Sequence, residues 1–212
     1  MKTYKKEEIN EVREDLLHGK IIAFPTDTVF GLACVYDDLN AIHKIYEAKG
    51  RDIAKSLPMM CSSFEMIEEV VHVSEDAKKL MKAFMPGAIT IIYKKKDVID
   101  DYVTSGKDTI AIRMPDDEWI KELINICAKP LLVTSANISN EGSLFKWEEV
   151  CEKLSDKIDG TVMEDARGDK ASTIVDCSGE EARILRQGPI SEEEINEVLR
   201  SDHEQTDLHN RT

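Results

Sequence analysis

I-I-A-F-P-T-D-T-V-F-G-L, residues 21–32, decides how this chain folds. The apolar run Ile21 to Phe24 is too short for a helix and suits a buried strand. Pro25 ends it, because proline lacks the N–H that a continuing ladder needs. Thr26 and Thr28 follow at the strand exit. Their hydroxyls and the free backbone N–H groups there either meet a polar ligand or close a turn on their own backbone. A buried strand with a polar exit is the unit of an α/β sheet, and the flanking chain supplies the helices such a sheet needs.

Upstream, Ile9, Val12, Leu16 and Leu17 share one face of a helix over residues 6–18, with Gly19 as its stop. Downstream, Leu39, Ile42, Ile45 and Tyr46 predict a helix over 38–48, followed by a basic loop, 49–55, and the apolar run L-P-M-M-C. Ser74 heads a further helix with Glu75 and Asp76 in its first turn, and Met85-Pro86-Gly87 breaks it. Two strands, A-I-T-I-I-Y at 88–93 and T-I-A-I-R-M at 109–114, flank a polar segment containing Gly106 that is expected to be a mobile loop. A helix over 117–128 leads into the strand P-L-L-V-T. In the last third a helix spans 146–154, G-T-V-M, S-T-I-V-D-C and A-R-I-L-R read as short strands, and Ser191 with Glu194 forms a capping box for a final helix. The expectation is one mixed α/β domain over residues 1–200 and a polar, frayed tail over 201–212.

Lys and Arg number 28 against 42 Asp and Glu, so the formal charge of −14 argues against a surface that grips polyanions indiscriminately. No apolar run approaches the ~20 residues of a bilayer span and no N-terminal apolar leader is present, so a cytoplasmic setting is expected. The cysteines, Cys34, Cys61, Cys127, Cys151 and Cys177, include no C-x-x-C pair and no Cys/His ligand spacing. They read as small core residues rather than as zinc ligands or a disulfide framework.

Against that acidic background, Lys49, Arg51, Lys55, Arg113 and Arg186 all fall beside strands or their following loops. Lys49 and Arg51, just past a helix, either reach one phosphate chain from two directions or complement the helix dipole. Ser135 and Asn137 follow P-L-L-V-T directly, at the strand end where α/β sheets place ligands, although a plain Asn turn has the same sequence. Arg113 ends an apolar strand and suits a salt bridge or a ligand carboxylate. Ser172 enters the strand T-I-V-D, and Arg186 lies in R-I-L-R-Q-G. Together these positions look like a nucleotide site.

The ordered set F-P-T-D-T-V-F-G-L, K-G-R with Lys55 downstream, M-P-G-A-I-T, I-A-I-R-M-P, T-S-A-N-I-S, S-T-I-V-D and I-L-R-Q-G resembles the YrdC-like family, and within it the threonylcarbamoyl-AMP synthases, over roughly residues 12–190. The resemblance implies a twisted, open, mixed α/β sheet flanked by helices around a large, positively charged concave site, in a short form without an additional C-terminal domain. It implies synthesis of L-threonylcarbamoyladenylate from L-threonine, bicarbonate and ATP with release of pyrophosphate, for N6-threonylcarbamoyladenosine in tRNA. Lys49, Arg51, Ser135 and Asn137 would bind the nucleotide, with Arg186 on the same side, and Lys49, Arg51 and Lys55 would serve the reaction itself. Thr28, Arg113 and Ser172 would hold threonine, with Thr26 as a neighbour. Mg²⁺ would come with ATP, held by phosphates and water with no protein ligand named. The adenylate would pass to threonylcarbamoyl transferase machinery acting on tRNA, with no membrane partner and little direct nucleic-acid binding.

Phe24 and Phe30 stand where the family also uses Tyr, Asp52 and Ser56 where Pro is frequent, and Met60 near a position where some members carry His. Two other readings belong to the same fold. One is an RNA-binding module with a basic concave surface. The other is carbamoyl transfer as in hydrogenase maturation, which uses zinc-finger and acylphosphatase-like domains for which this chain has neither the length nor the C-x-x-C pairs. Lys49→Ala or Arg51→Ala is expected to abolish activity and leave the fold intact.

Overall fold

In a computed structural model, which describes residues 1–201, the strand read at the outset is β2 (Ile22–Phe24), buried along its length. It turns straight back. β3 (Gly31–Val35) runs antiparallel to it with Phe24 opposite Gly31, so residues 25–30 are the loop of a hairpin. β3 is absent from the expectations above. Its five residues are all buried, so they show no polar alternation by which a strand would be recognised.

The sheet runs β1 (Lys2–Tyr4), β9 (Gly160–Val162), β2, β3, β8 (Leu131–Ser135), β4 (Met59–Met60), β7 (Thr109–Arg113), β6 (Ile89–Lys95), β10 (Thr173–Asp176) and β11 (Arg183–Arg186). A short β5 (Val71–His72) also pairs with β6. Parallel pairs, such as β4 with β7 and β6 with β10, alternate with antiparallel ones, such as β3 with β8 and β6 with β7. The sheet is mixed, as expected.

Two cores cover its two faces unequally. On one face Ile89, Ile91, Tyr93, Ile112, Leu132 and Val175 pack against α2 (Leu39–Lys49), α3 (Phe64–Val70), α4 (Glu75–Phe84), α6 (Trp147–Leu154) and α7 (Glu192–Arg200). On the other, α1 (Ile9–Leu17) and α5 (Glu118–Cys127) set Val12, Leu16, Ile120, Leu123 and Ile124 on Ile22, Phe24, Ala33 and Val133. Those two helices reach only the strands around β2, β3 and β8. Successive side chains alternate across a strand, so Ile92, Ala111 and Ile174 face the same side as α1 and α5 yet remain half-buried. The uncovered half of that face is the floor of a cleft.

The expected caps are present: the Ser74 side chain accepts from the Ala77 N–H, and Ser191 forms a capping box with Glu194. Residues 2–4 form β1 and α1 begins only at Ile9; neither β1 nor α3 is foreshadowed by the sequence pattern. The segment expected to be a mobile loop is anchored instead, with Ile99 and Val103 in the core and Thr104 fully buried. The tail expected over 201–212 lies, beyond Ser201, outside the described residues.

Candidate active site

Antiparallel pairing mixes strand starts and strand ends at each edge of the sheet. β2 and β8 end and β3 begins at one edge, while β4, antiparallel to β8, ends at the opposite edge with β7 and β11, where β6 and β10 begin. The cleft lies over the uncovered face and draws on strand termini of both groups, with a volume of about 430 Å³. Alternate residues of neighbouring strands form its floor: Thr90 and Ile92, Ala111 and Arg113, Val133 and Ser135, Ser172 and Ile174.

Eight of the ten expected site residues line it: Thr26, Thr28, Arg51, Lys55, Arg113, Ser135, Ser172 and Arg186. Lys49 and Asn137 do not. Lys49 is 1% exposed, and its Nζ donates to Ser135 O at 2.5 Å, Asn137 O at 2.7 Å and Asn137 Oδ1 at 3.1 Å. The end of α2 is thereby clamped to the S-A-N turn from behind. Asn137 itself donates to Ile138 O and Glu141 O, so both its amide atoms serve the turn. Burial, with Arg51 nearby, pushes the Lys49 ammonium down to about 8. A buried Lys49 with three backbone and amide acceptors holds the turn, and truncating it would strand those acceptors.

Arg113, at the end of β7, is 5% exposed. Its Nε donates to Gly87 O at 3.0 Å and its Nη1 to Thr28 Oγ1 at 2.7 Å, and its Nη2 lies 2.7 Å from Asp27 Oδ2 in an ion pair. Burial lowers the guanidinium below its usual range and the Asp27 carboxylate opposes that shift. Asp27 Oδ2 also accepts the Asp116 N–H, while Oδ1 is buried without a hydrogen-bond partner among the described residues. Nη2 is buried and, beyond that ion pair, has no hydrogen-bond partner among the described residues.

Thr26 Oγ1 donates to Val29 O and accepts the Thr28 N–H, closing the hairpin loop on itself. Thr28 is left to face Arg113. On the opposite wall Ser172 Oγ and Thr90 Oγ1 are 2.7 Å apart, and Arg186 reaches back with Nε and Nη2 to Ser172 O. Arg51 Nε and Nη2 donate to Lys55 O and Ser56 O, which folds the basic loop into a compact arm despite Asp52 and Ser56 standing in place of prolines.

The sequence reading misses Lys107, Thr90 and Asp27. Lys107 lies in the segment read as a loop, Thr90 in a run read simply as strand, and Asp27 between two threonines that drew the attention. With Lys107 included, the lining holds five cationic residues, Arg51, Lys55, Lys107, Arg113 and Arg186, and no Asp or Glu. Among the described residues no group of three His, Cys, Asp or Glu is placed to hold a metal ion, and Asp27 is already committed to Arg113 and Asp116.

A family model described as "Telomere recombination", the Sua5/YciO/YrdC domain, matches residues 14–188. The threonylcarbamoyl-AMP synthase of Pyrococcus abyssi is 37% identical over 183 residues, covering 85% of this chain and 54% of the relative. That of Bacillus subtilis is 37% identical over 187 residues, covering 87% and 54%. The chain thus spans about half the length of these two relatives. A solved structure of P. abyssi Sua5 complexed with L-threonine superposes with a TM-score of 0.86 at 34% identity, over 93% of this chain and 59% of that one. With the same mixed sheet and a sequence match across most of its length, the chain belongs to the Sua5/YciO/YrdC family.

Proposed function

We propose that this chain makes L-threonylcarbamoyladenylate from L-threonine, bicarbonate and ATP, releasing pyrophosphate. The observation that carries the reading is the cleft lining: five cations and no carboxylate in a protein of formal charge −14. Only Arg113 among them is paired with a carboxylate, that of Asp27, so the remaining positive charge favours a polyanionic ligand, and a cleft of about 430 Å³ with a half-buried apolar floor suits a nucleotide. The names of the relatives, and the threonine bound by the P. abyssi protein, support the same assignment.

In this reading threonine sits at the Arg113 end. Its carboxylate meets the guanidinium, with the Thr28 and Ser172 hydroxyls beside it and Thr26 shaping the loop. The threonine amine and bicarbonate condense with loss of water to an N-carboxylate. A carbamate oxygen then attacks the α-phosphorus, the bond to the β-phosphate oxygen breaks, and pyrophosphate leaves with that electron pair. Arg51, Lys55 and Arg186 neutralise the phosphates, and Ser135 contacts the nucleotide from a turn held by Lys49 and Asn137. Positioning and charge neutralisation carry such a transfer, so it needs no side-chain nucleophile. Mg²⁺ accompanies ATP, with phosphate oxygens and water as ligands.

The product would serve N6-threonylcarbamoyladenosine formation in tRNA through a separate transferase. Five free cysteines suit a reducing, cytoplasmic setting. The experiment is pyrophosphate release by the purified protein with ATP and Mg²⁺, with labelled bicarbonate, and with threonine present, absent or replaced by serine. Label in an adenylate that appears only with threonine is the expected result. Untouched ATP under all conditions refutes the reading, and a steep salt dependence of RNA binding would then favour the RNA-binding module.

A further inference from the structure

Two cation-bearing loops approach the cleft from the same side. Residues 51–56 carry Arg51 and Lys55, and the turn over 101–107 carries Lys107. Among the described residues no hydrogen bond or ion pair engages the Lys55 or Lys107 ammonium, and no hydrogen bond joins the two loops directly. The Tyr46 phenol joins both. Its hydroxyl donates to Lys55 O at 3.0 Å and lies 3.3 Å from Ser105 Oγ. Lys55 O also accepts Arg51 Nε at 2.9 Å, so one carbonyl ties Tyr46 to the arginine of the cleft.

The second loop is built to hold a fixed direction. Ser105 and Gly106 both adopt left-handed backbone, φ 55 and 77, a conformation that side-chain-bearing residues rarely take. Thr104, fully buried, donates from Oγ1 to Lys107 O at 2.6 Å, and the Gly106 N–H reaches Asp101 O at 2.8 Å. Lys95 engages the Asp101 carboxylate at 3.1 Å and so ties the start of the turn to the end of β6.

We propose that the 101–107 turn is a second phosphate-binding arm, in which Lys107 contacts the distal phosphates and Tyr46 is the positioning residue that sets this arm against Lys55. The inference deepens the nucleotide reading above and rests on it for the nature of the ligand.

The test is calorimetric binding of inorganic tripolyphosphate, and separately of L-threonine, to wild type, Lys107→Gln, Tyr46→Phe and the double variant. Lys107→Gln raises the Kd for tripolyphosphate about tenfold, the loss of one close charge contact. Tyr46→Phe raises it several-fold, the two effects are less than additive, and threonine affinity is unchanged throughout. Wild-type affinity in Lys107→Gln, no binding by the wild type, or full additivity in the double variant overturns the proposal. A Tyr46→Phe protein that loses only thermal stability also overturns it, because that is the signature of a merely structural tyrosine. Should adenylate synthesis fail while tripolyphosphate binding still depends on Lys107, the reaction assignment falls and the arm stands.

Discussion

Replacing Lys49 by methionine removes the clamp between α2 and the S-A-N turn while keeping a stem of similar length. The lost donor served two backbone carbonyls and one amide oxygen, at 2.5, 2.7 and 3.1 Å. Asn137 Oδ1 keeps a partner, because Ser135 Oγ also donates to it. The Ser135 and Asn137 carbonyls are left without the ammonium. A hydrogen bond from a charged donor contributes about 1.5–3 kcal/mol and an orphaned buried acceptor costs roughly 1–3, so Lys49→Met should destabilise by about 3–5 kcal/mol. In a domain of this size that lowers the melting midpoint by roughly 6–20 °C. Arg51→Met makes the contrast. Its acceptors, Lys55 O and Ser56 O, lie on a partly exposed loop that water can reach, so the change in stability stays within about 1 kcal/mol. Both variants should lose pyrophosphate release. Urea and thermal unfolding, run beside the activity assay on the same preparations, separate them. A Lys49→Met protein that melts like the wild type but has no activity would refute the clamp and return Lys49 to direct contact with substrate.

The Lys49 ammonium, near 8 in the folded chain against 10.5 ordinarily, makes a signed prediction about pH. Between those values the unfolded chain holds a proton that the folded one has released, so stability rises with pH there. The destabilisation by Lys49→Met, measured in urea, should therefore grow from pH 8 to 10; a penalty that shrinks means the acceptors hold the charged form. Arg113→Ala strands the Asp27 carboxylate, which costs about 3–5 kcal/mol, and adding Asp27→Asn should restore part of it. Threonine titration should show lost affinity in both proteins, and wild-type affinity in either removes Arg113 from the threonine site. At Gly168 an added Cβ would come 2.4 Å from Thr28 O and 2.6 Å from Asp27 O, so Gly168→Ala must push the 25–30 loop. Its KM for threonine should rise several-fold more than its KM for ATP, and equal changes would place the loop away from threonine.

Helix periodicity and caps are local, and they were readable: Ser74 and Ser191 begin helices as their side chains require. Most of the polar positions that line the cleft were readable too, because polar residues that follow apolar runs mark strand exits. β3 escaped for the opposite reason, since a strand buried on both faces looks like any apolar stretch. Ser172 and Thr90 enter the cleft from strand beginnings rather than strand ends, which depends on the direction in which β6 and β10 run beside β7.

The sequence by itself determined the α/β class, the strand exits whose polar residues line the cleft, and the ordered motifs that mark the family. Tertiary structure alone decided that Lys49 turns inward to hold Ser135 and Asn137, 86 and 88 residues away, while Lys107 joins the cleft. A side chain's role follows from the acceptors and charges around it, and those are supplied by strands distant in sequence, whose pairing no local pattern encodes.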